Sequence, residues 1–188
     1  TTKKELDYEQ KISNLLERVP SHIVRESPFL YSDRKMLTQA LTRIKLYELS
    51  RETQGCIVEC GVHRANSLAL YYHLSSILDT VAFNKKIIGF DTFEGFKNIS
   101  SKDPIHTNEG GLKDTSYEHI KETFETQDMN RLIGHIPIVE LIKGDACAKI
   151  PEYVEKNPWL IISLLYLDFD IYKPTKVALE HLLPLVPK

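Results

Sequence analysis

The chain has 188 residues, 42% hydrophobic and 27% charged, values that suit one globular domain able to bury its own core. Lysine plus arginine (24) nearly balances aspartate plus glutamate (26), so charge gives no reason to expect nucleic acid or an anionic membrane surface as partner. The longest apolar window, Trp159 to Leu167, is too short to span a bilayer, and the charged N-terminus lacks the apolar core of a signal peptide; a cytoplasmic protein is expected.

Residues Tyr8 to Val19 carry Ile12, Leu15, Leu16 and Val19 at helical spacing, and Pro20 and Pro28 bracket an irregular link. Residues 1–32 are therefore expected to form an arm, serving as a lid or as a contact for a second copy. From Asp33 to Leu49 a second helix is predicted, with Met36, Leu37, Ala40, Leu41, Ile44 and Tyr47 on one side and Ser32 or Asp33 as its cap. Cys56 to Cys60 has the length and apolar character of a buried strand. Asn66 and Ser67 stand where the following helix, Leu68 to Leu78, needs capping oxygens. Gly61 lies at the turn between them, where a missing side chain lets a ligand approach the backbone and free helix N–H groups favour an anion. Three cysteines, Cys56, Cys60 and Cys147, include no Cys-x-x-Cys pair and read as buried thiols rather than as zinc ligands.

Lys86 to Asp91 predicts a second strand, and strand, crossover helix and strand at this spacing make a βαβ unit with parallel strands. The fold class is therefore α/β, with a doubly wound, mostly parallel sheet. Thr92 to Lys113 is a long polar loop containing His106 and the pair Gly110-Gly111, suited to substrate contact. Thr115-x-x-Glu118 has the form of a capping box opening a helix to about Thr126. Ile136 to Ile142 predicts a third strand, leading into Lys143-Gly-Asp-Ala146. Leu160 to Leu167 predicts a fourth, apolar at nearly every position, which implies cover on both faces. Asp168-Phe-Asp170-Ile-Tyr172 follows, and Pro174 sits near the first turn of a last helix running to about Leu183.

Each predicted strand finishes at an acid: Glu59, Asp91, Asp145 and Asp168. In a doubly wound sheet ligands bind outside the carboxyl ends of the strands, so these acids mark one crevice. Asp91, at the end of the second strand, suits the two hydroxyls of a ribose. The first turn lacks the Gly-x-Gly-x-x-Gly fingerprint of a dinucleotide site, which favours a nucleoside carrying a small zwitterion whose carboxylate Asn66 and Ser67 can receive. S-adenosylmethionine fits that description. Asp168 and Asp170, at i and i+2 of an extended segment, either share a hard cation such as Mg²⁺ or cap the next helix.

The succession Ile57-Val-Glu-Cys-Gly-Val-His-Arg64, Phe90-Asp-Thr-Phe-Glu-Gly95, Lys143-Gly144 and Leu167-Asp-Phe-Asp-Ile-Tyr172 resembles the macrocin O-methyltransferase (TylF-type) family of class I methyltransferases from about Asp33 onward. The resemblance implies S-adenosylmethionine as donor, a divalent cation, usually Mg²⁺, and a hydroxyl of a sugar or glycosylated natural product as acceptor. It implies that Glu59 and Gly61 line the methionine end, Asp91 holds the ribose, Phe93 lies near adenine, and Asp145 and Ala146 contact the adenine edge. It implies further that Asp168 is the principal metal ligand, with Asp170 beside it. The family's usual Trp-Arg-Gly-Gly is His63-Arg64-Ala65-Asn66 here. Its further metal-binding acids, in an Asp-Asp-Tyr strand, would come after Lys188, so residues 33–188 are expected to be a C-terminally incomplete methyltransferase domain.

For proton removal from the acceptor, His63, His106 and Asp168 are the candidates, because imidazole titrates near neutrality and a carboxylate at the crevice can accept directly. Tyr172, Arg64 and Trp159 read as packing or surface residues. Two rival readings keep the same fold: a non-catalytic module that binds the cofactor or a partner, and a cephalosporin hydroxylase-like relative with a different acceptor.

Overall fold

Four five- or six-residue strands, β1 (Cys56–Cys60), β2 (Ile87–Asp91), β3 (Val139–Lys143) and β4 (Ile162–Leu167), form one parallel sheet in the order β3-β2-β1-β4. The computed structural model describes residues 2–97 and 99–187. Helix α5 (Asn66–Leu78) links β1 to β2, α6 (Tyr117–Asp128) links β2 to β3, α7 (Ala146–Lys156) links β3 to β4, and α8 (Tyr172–His181) follows β4. The order grows outward from β1 to β3 and then returns to β4 on the other side of β1. The topological switch point therefore lies between β1 and β4, and the crevice of a doubly wound sheet is expected outside their carboxyl ends.

Strand alternation assigns the core. Ile57 and Ile87 pack with Leu68, Tyr71 and Tyr72 of α5 and Ile120 and Phe124 of α6 on one face. Cys56, Val58, Cys60, Ile88 and Phe90 pack with Ile150 and Tyr153 of α7 and Ala178 of α8 on the other. Residues one apart on a strand point to opposite faces, so both sides of β1 and β2 are apolar and covered. Glu59 belongs to the Ile57 side by this count, and it is the one carboxylate among the buried residues.

The chain divides into two compact units between Thr42 and Arg43, where the sequence predicts a boundary at 32/33. The smaller unit begins with α1 (Lys3–Leu16), closed by a capping box of Thr2 and Glu5 and without a buried residue. The link expected to be irregular holds two short helices, α2 (Ser21–Glu26) and α3 (Pro28–Tyr31), the second started by a proline whose fixed φ suits a first turn. Helix α4 (Arg34–Ser50) is capped by Asp33, whose carboxylate accepts from Met36 N at 2.6 Å. In the larger unit, Arg43, Tyr47 and Ser50 are its buried residues.

Four expectations need correction. Helix α5 is not capped by Asn66 or Ser67: its N-cap is Ala65 in the left-handed region (φ 60), and no side chain caps it. The cap of α6 is Ser116, which accepts from His119 N, whereas Thr115 donates its hydroxyl to the carbonyl of His63 at 2.7 Å. Strand β4 is covered on both faces only in part: Leu164 packs on one apolar cluster and Leu165 and Leu167 on the other, but beyond Ile162 its residues are half-buried, and it pairs only with β1 among the described residues. Cys147 is only partly buried, unlike Cys56 and Cys60.

Candidate functional site

The carboxyl ends of the strands are brought into one row by the ladder. Cys60 stands opposite Phe90 on β2 and Leu167 on β4, and Asp91 stands opposite Lys143 on β3. Asp168 N donates to Cys60 O at 2.7 Å and Gly61 N to Phe90 O at 2.9 Å, so the chain leaves β1, β2 and β4 at the same level. Gly144 N reaches Asp91 O at 2.9 Å, which sets Asp145 beside them. Glu59, Asp91 and Asp168 are close enough for both aspartates to act on the Glu59 carboxyl.

Gly61 has φ 93, and a Cβ built there would meet Asp168 O at 2.3 Å. Its missing side chain thus lets β4's exit pass the β1 turn, a demand of the fold in addition to any demand of a ligand. The turn holds two further left-handed residues, His63 (φ 49) and Ala65 (φ 60). Asp91 fixes it: Oδ2 accepts from Val62 N and His63 N, both at 2.8 Å, and Oδ1 from Phe93 N at 2.7 Å. A carboxylate oxygen has two lone pairs, so Oδ1 keeps one acceptor position and Oδ2 none.

Glu59 is fully buried. The hydroxyl of Ser67 donates to its Oε1, while Oε2 has no hydrogen-bond partner. Burial pushes the Glu59 carboxyl up to about 8, Asp168 and Asp91 adding to the rise and the Ser67 hydroxyl and Arg43 guanidinium opposing it. At neutral pH this side chain is mostly protonated.

Asp168 and Asp170 are both exposed, with Phe169 between them packed against the core. Burial of part of the Asp168 side chain and the neighbouring Asp170 charge push the Asp168 carboxyl up, and Arg43 opposes them. Asp170 has φ 59, so the segment is no longer extended there. Among the described residues no group of three or more His, Cys, Asp or Glu side chains is placed to hold a metal ion. Two carboxylates completed by water and substrate oxygens are nevertheless a donor set that Mg²⁺ accepts and that structural zinc does not.

The other candidates are spread more widely. His63 Nε2 lies 2.8 Å from Asp114 Oδ1, and Arg64 also binds Asp114, holding that carboxyl down at about 2. Phe93 (φ 53) is buried, edge-on to Tyr117 with ring centroids 5.3 Å apart. Asp145 is the N-cap of α7, accepting from Cys147 N at 2.9 Å, and Ala146 is buried behind it. Asn66 is exposed at the start of α5. His106 is exposed in the loop after β2.

Sequence reasoning missed two residues. Arg43 reaches the acids from α4: its Nη2 is 3.8 Å from Asp168 Oδ2 and its guanidinium lies 5.1 Å over the ring of Tyr166. The signal was its position four residues before the buried Tyr47, which puts both on one helical face. Asp114 was hidden because a loop carboxylate has no pattern.

No protein-family model matches the sequence, and no curated protein matches it. Solved structures do. The chain is 28% identical to CalS11, described as a calicheamicin methyltransferase, with a TM-score of 0.92 over 100% of this chain and 76% of that one. An apo structure of CalS11, described as a TDP-rhamnose 3′-O-methyltransferase of calicheamicin biosynthesis, matches at 26% identity and TM-score 0.81 over the same shares. The O-methyltransferase NovP shares the fold at 18% identity and TM-score 0.58, over 77% of this chain and 60% of that one. The parallel α/β architecture is thus that of O-methyltransferases.

Proposed function

We propose that the chain is an S-adenosylmethionine-dependent O-methyltransferase of the TylF type, acting on a hydroxyl of a sugar or glycosylated natural product. The likeness to a TDP-rhamnose O-methyltransferase over the whole of this chain carries the reading. The acids at the β1/β4 switch point support it, since that is where a doubly wound sheet takes a nucleoside.

In this reading Glu59 and Gly61 line the methionine end of the donor, and the free acceptor position on Asp91 Oδ1 takes one ribose hydroxyl. Phe93, Asp145 and Ala146 border the adenine. When bound, S-adenosylmethionine supplies a methyl group made electrophilic by a sulfonium. Asp168 would take the proton of the acceptor hydroxyl, and its raised pKa suits that task. His63, oriented by Asp114, is the alternative base, and exposed His106 is the weakest of the three. Asp168 and Asp170 would hold Mg²⁺, which would lower the pKa of an acceptor hydroxyl bound to it. The arm of residues 1–32, whose Phe29 and Leu30 are exposed, is assigned to contact with a second copy or to covering the acceptor. A cytoplasmic location and the absence of a nucleic-acid or membrane partner complete the reading; among the described residues no helix is long and apolar enough to cross a membrane.

Mass spectrometry after incubation with methyl-labelled donor, MgCl₂ and a panel of glycosides including TDP-rhamnose tests the assignment. A labelled glycoside is expected, and an unlabelled panel counts against it. The rival reading, a non-catalytic binding module, is favoured by the lack of a three-ligand metal cluster among the described residues. It predicts that S-adenosylhomocysteine binds in a calorimeter while no acceptor is ever methylated.

A further inference from the structure

The acids of the crevice answer the positive groups of the donor and leave its carboxylate without a partner. Asn66 and Ser67 are the partners the sequence offers. The Ser67 hydroxyl is committed to Glu59, and Asn66 is exposed. Asp91 and Asp168, at the same strand ends as Glu59, add negative charge that repels a further carboxylate.

Arg43 is the exception. The residue is 8% exposed, and Tyr166, whose ring its guanidinium covers, pairs with Glu59 across the β1–β4 ladder. Its Nε is buried without a partner. Nη2 faces Asp168 at 3.8 Å, an ion pair too long to be a hydrogen bond, and the Asp168 side chain is 49% exposed. Arg43 opposes the pKa rise of both Glu59 and Asp168, so its charge acts on both carboxyls. A guanidinium this buried, with five donors in a planar fork and its Nε unpartnered, is matched in geometry and charge to one planar anion.

We propose that Arg43 receives the carboxylate of the donor's amino-acid end, exchanging Asp168 for it. The proposal rests on the donor reading above. It separates the two ends of the donor's zwitterion, Arg43 taking the carboxylate and Glu59 standing by the ammonium. It also makes donor binding release Asp168 from its cationic neighbour.

Calorimetric titration of the whole chain with two probes tests this: S-adenosylhomocysteine, and its analogue lacking only the carboxylate. Arg43→Met, which keeps the aliphatic stem over Tyr166, is expected to weaken S-adenosylhomocysteine at least about tenfold and the analogue less than about twofold. Arg43→Lys is expected to recover part of the loss, and its melting curve checks folding independently of Arg43→Met. Equal weakening of both probes, or of neither, overturns the assignment and leaves the carboxylate to the N–H groups at the start of α5. Wild-type protein that binds neither probe defeats the donor reading itself, and this proposal with it.

Discussion

Glu59 is the residue whose chemistry departs furthest from its ordinary state. Its folded pKa, about 8, lies above the unfolded glutamate value, so the folded chain holds a proton between about pH 4.5 and 8 that the unfolded chain releases. The stability this contributes is complete below the unfolded pKa and is lost as pH rises through the folded one. The groups facing the carboxyl are Ser67, Arg43, Asp168 and Asp91. Glu59→Gln keeps the shape and the Ser67 partner while removing the titration. Denaturant melts from pH 5 to 8 should show wild-type stability falling relative to this variant by up to about 1.4 kcal/mol per pH unit; parallel curves would mean that Glu59 is ionised when folded. At this scale the sequence was partly legible. The acids announced themselves by ending apolar strands, but nothing along the chain says that Glu59 points into the core while Asp168 points out. Arg43 was invisible for a related reason: a charged residue in an amphipathic helix reads as surface until its helical neighbours Tyr47 and Ser50 are known to be buried.

Between residue and molecule stands the segment Thr92 to Lys113, which the sequence marked as a long polar loop and which the structure fastens within it and just beyond its end. Asp103 Oδ1 accepts from Tyr172 N at 2.5 Å, at the first residue of α8, and Ser100 N binds the other oxygen at 2.6 Å. At the far end Asp114 holds His63 and Arg64, and Thr115 holds the His63 carbonyl. The loop is thereby tied to the turn after β1 and to the helix after β4, the two elements that flank the switch point. Asp114 is exposed, so its ion pairs are screened and the fastening is shallow. Asp114→Ala should speed trypsin cleavage after Lys97, Lys102 or Lys113 by roughly two- to fivefold with little change in global melting. Unchanged cleavage would leave Thr115 and Asp103 as the fasteners that matter. Helix α7 shows the other limit of pattern reading. Pro151 lies inside it, and a proline without an N–H argues locally against helix. Packing of Ile150 and Tyr153 on β2 and capping by Asp145 outweigh that penalty. The βαβ order survived because four short apolar runs separated by helix-length spacers admit few other arrangements.

For the whole molecule, the division at Thr42/Arg43 decides what a bound donor can stabilise. Every acid assigned to the donor, and Arg43 with them, lies in the unit from Arg43 onward, which also holds both apolar clusters. Helices α1, α2 and α3 contain no buried residue, so they have no core from which to draw a cooperative transition of their own. A calorimetric scan should therefore show one main transition, belonging to the sheet and its helices. A ligand that binds only the folded state adds RT ln(1 + [L]/Kd), about 2.7 kcal/mol at a hundredfold excess over Kd. For a chain of this size each kcal/mol moves the midpoint by roughly 2–4 °C, so S-adenosylhomocysteine should raise it by roughly 5–10 °C. Adenosine, which lacks the amino-acid end, should raise it less, and Arg43→Met should narrow the gap between the two ligands without abolishing the adenosine shift. A midpoint that adenosine moves as far as S-adenosylhomocysteine does would place all the binding free energy on the Asp91 side of the crevice, and would deprive Glu59 and Arg43 of any part in it.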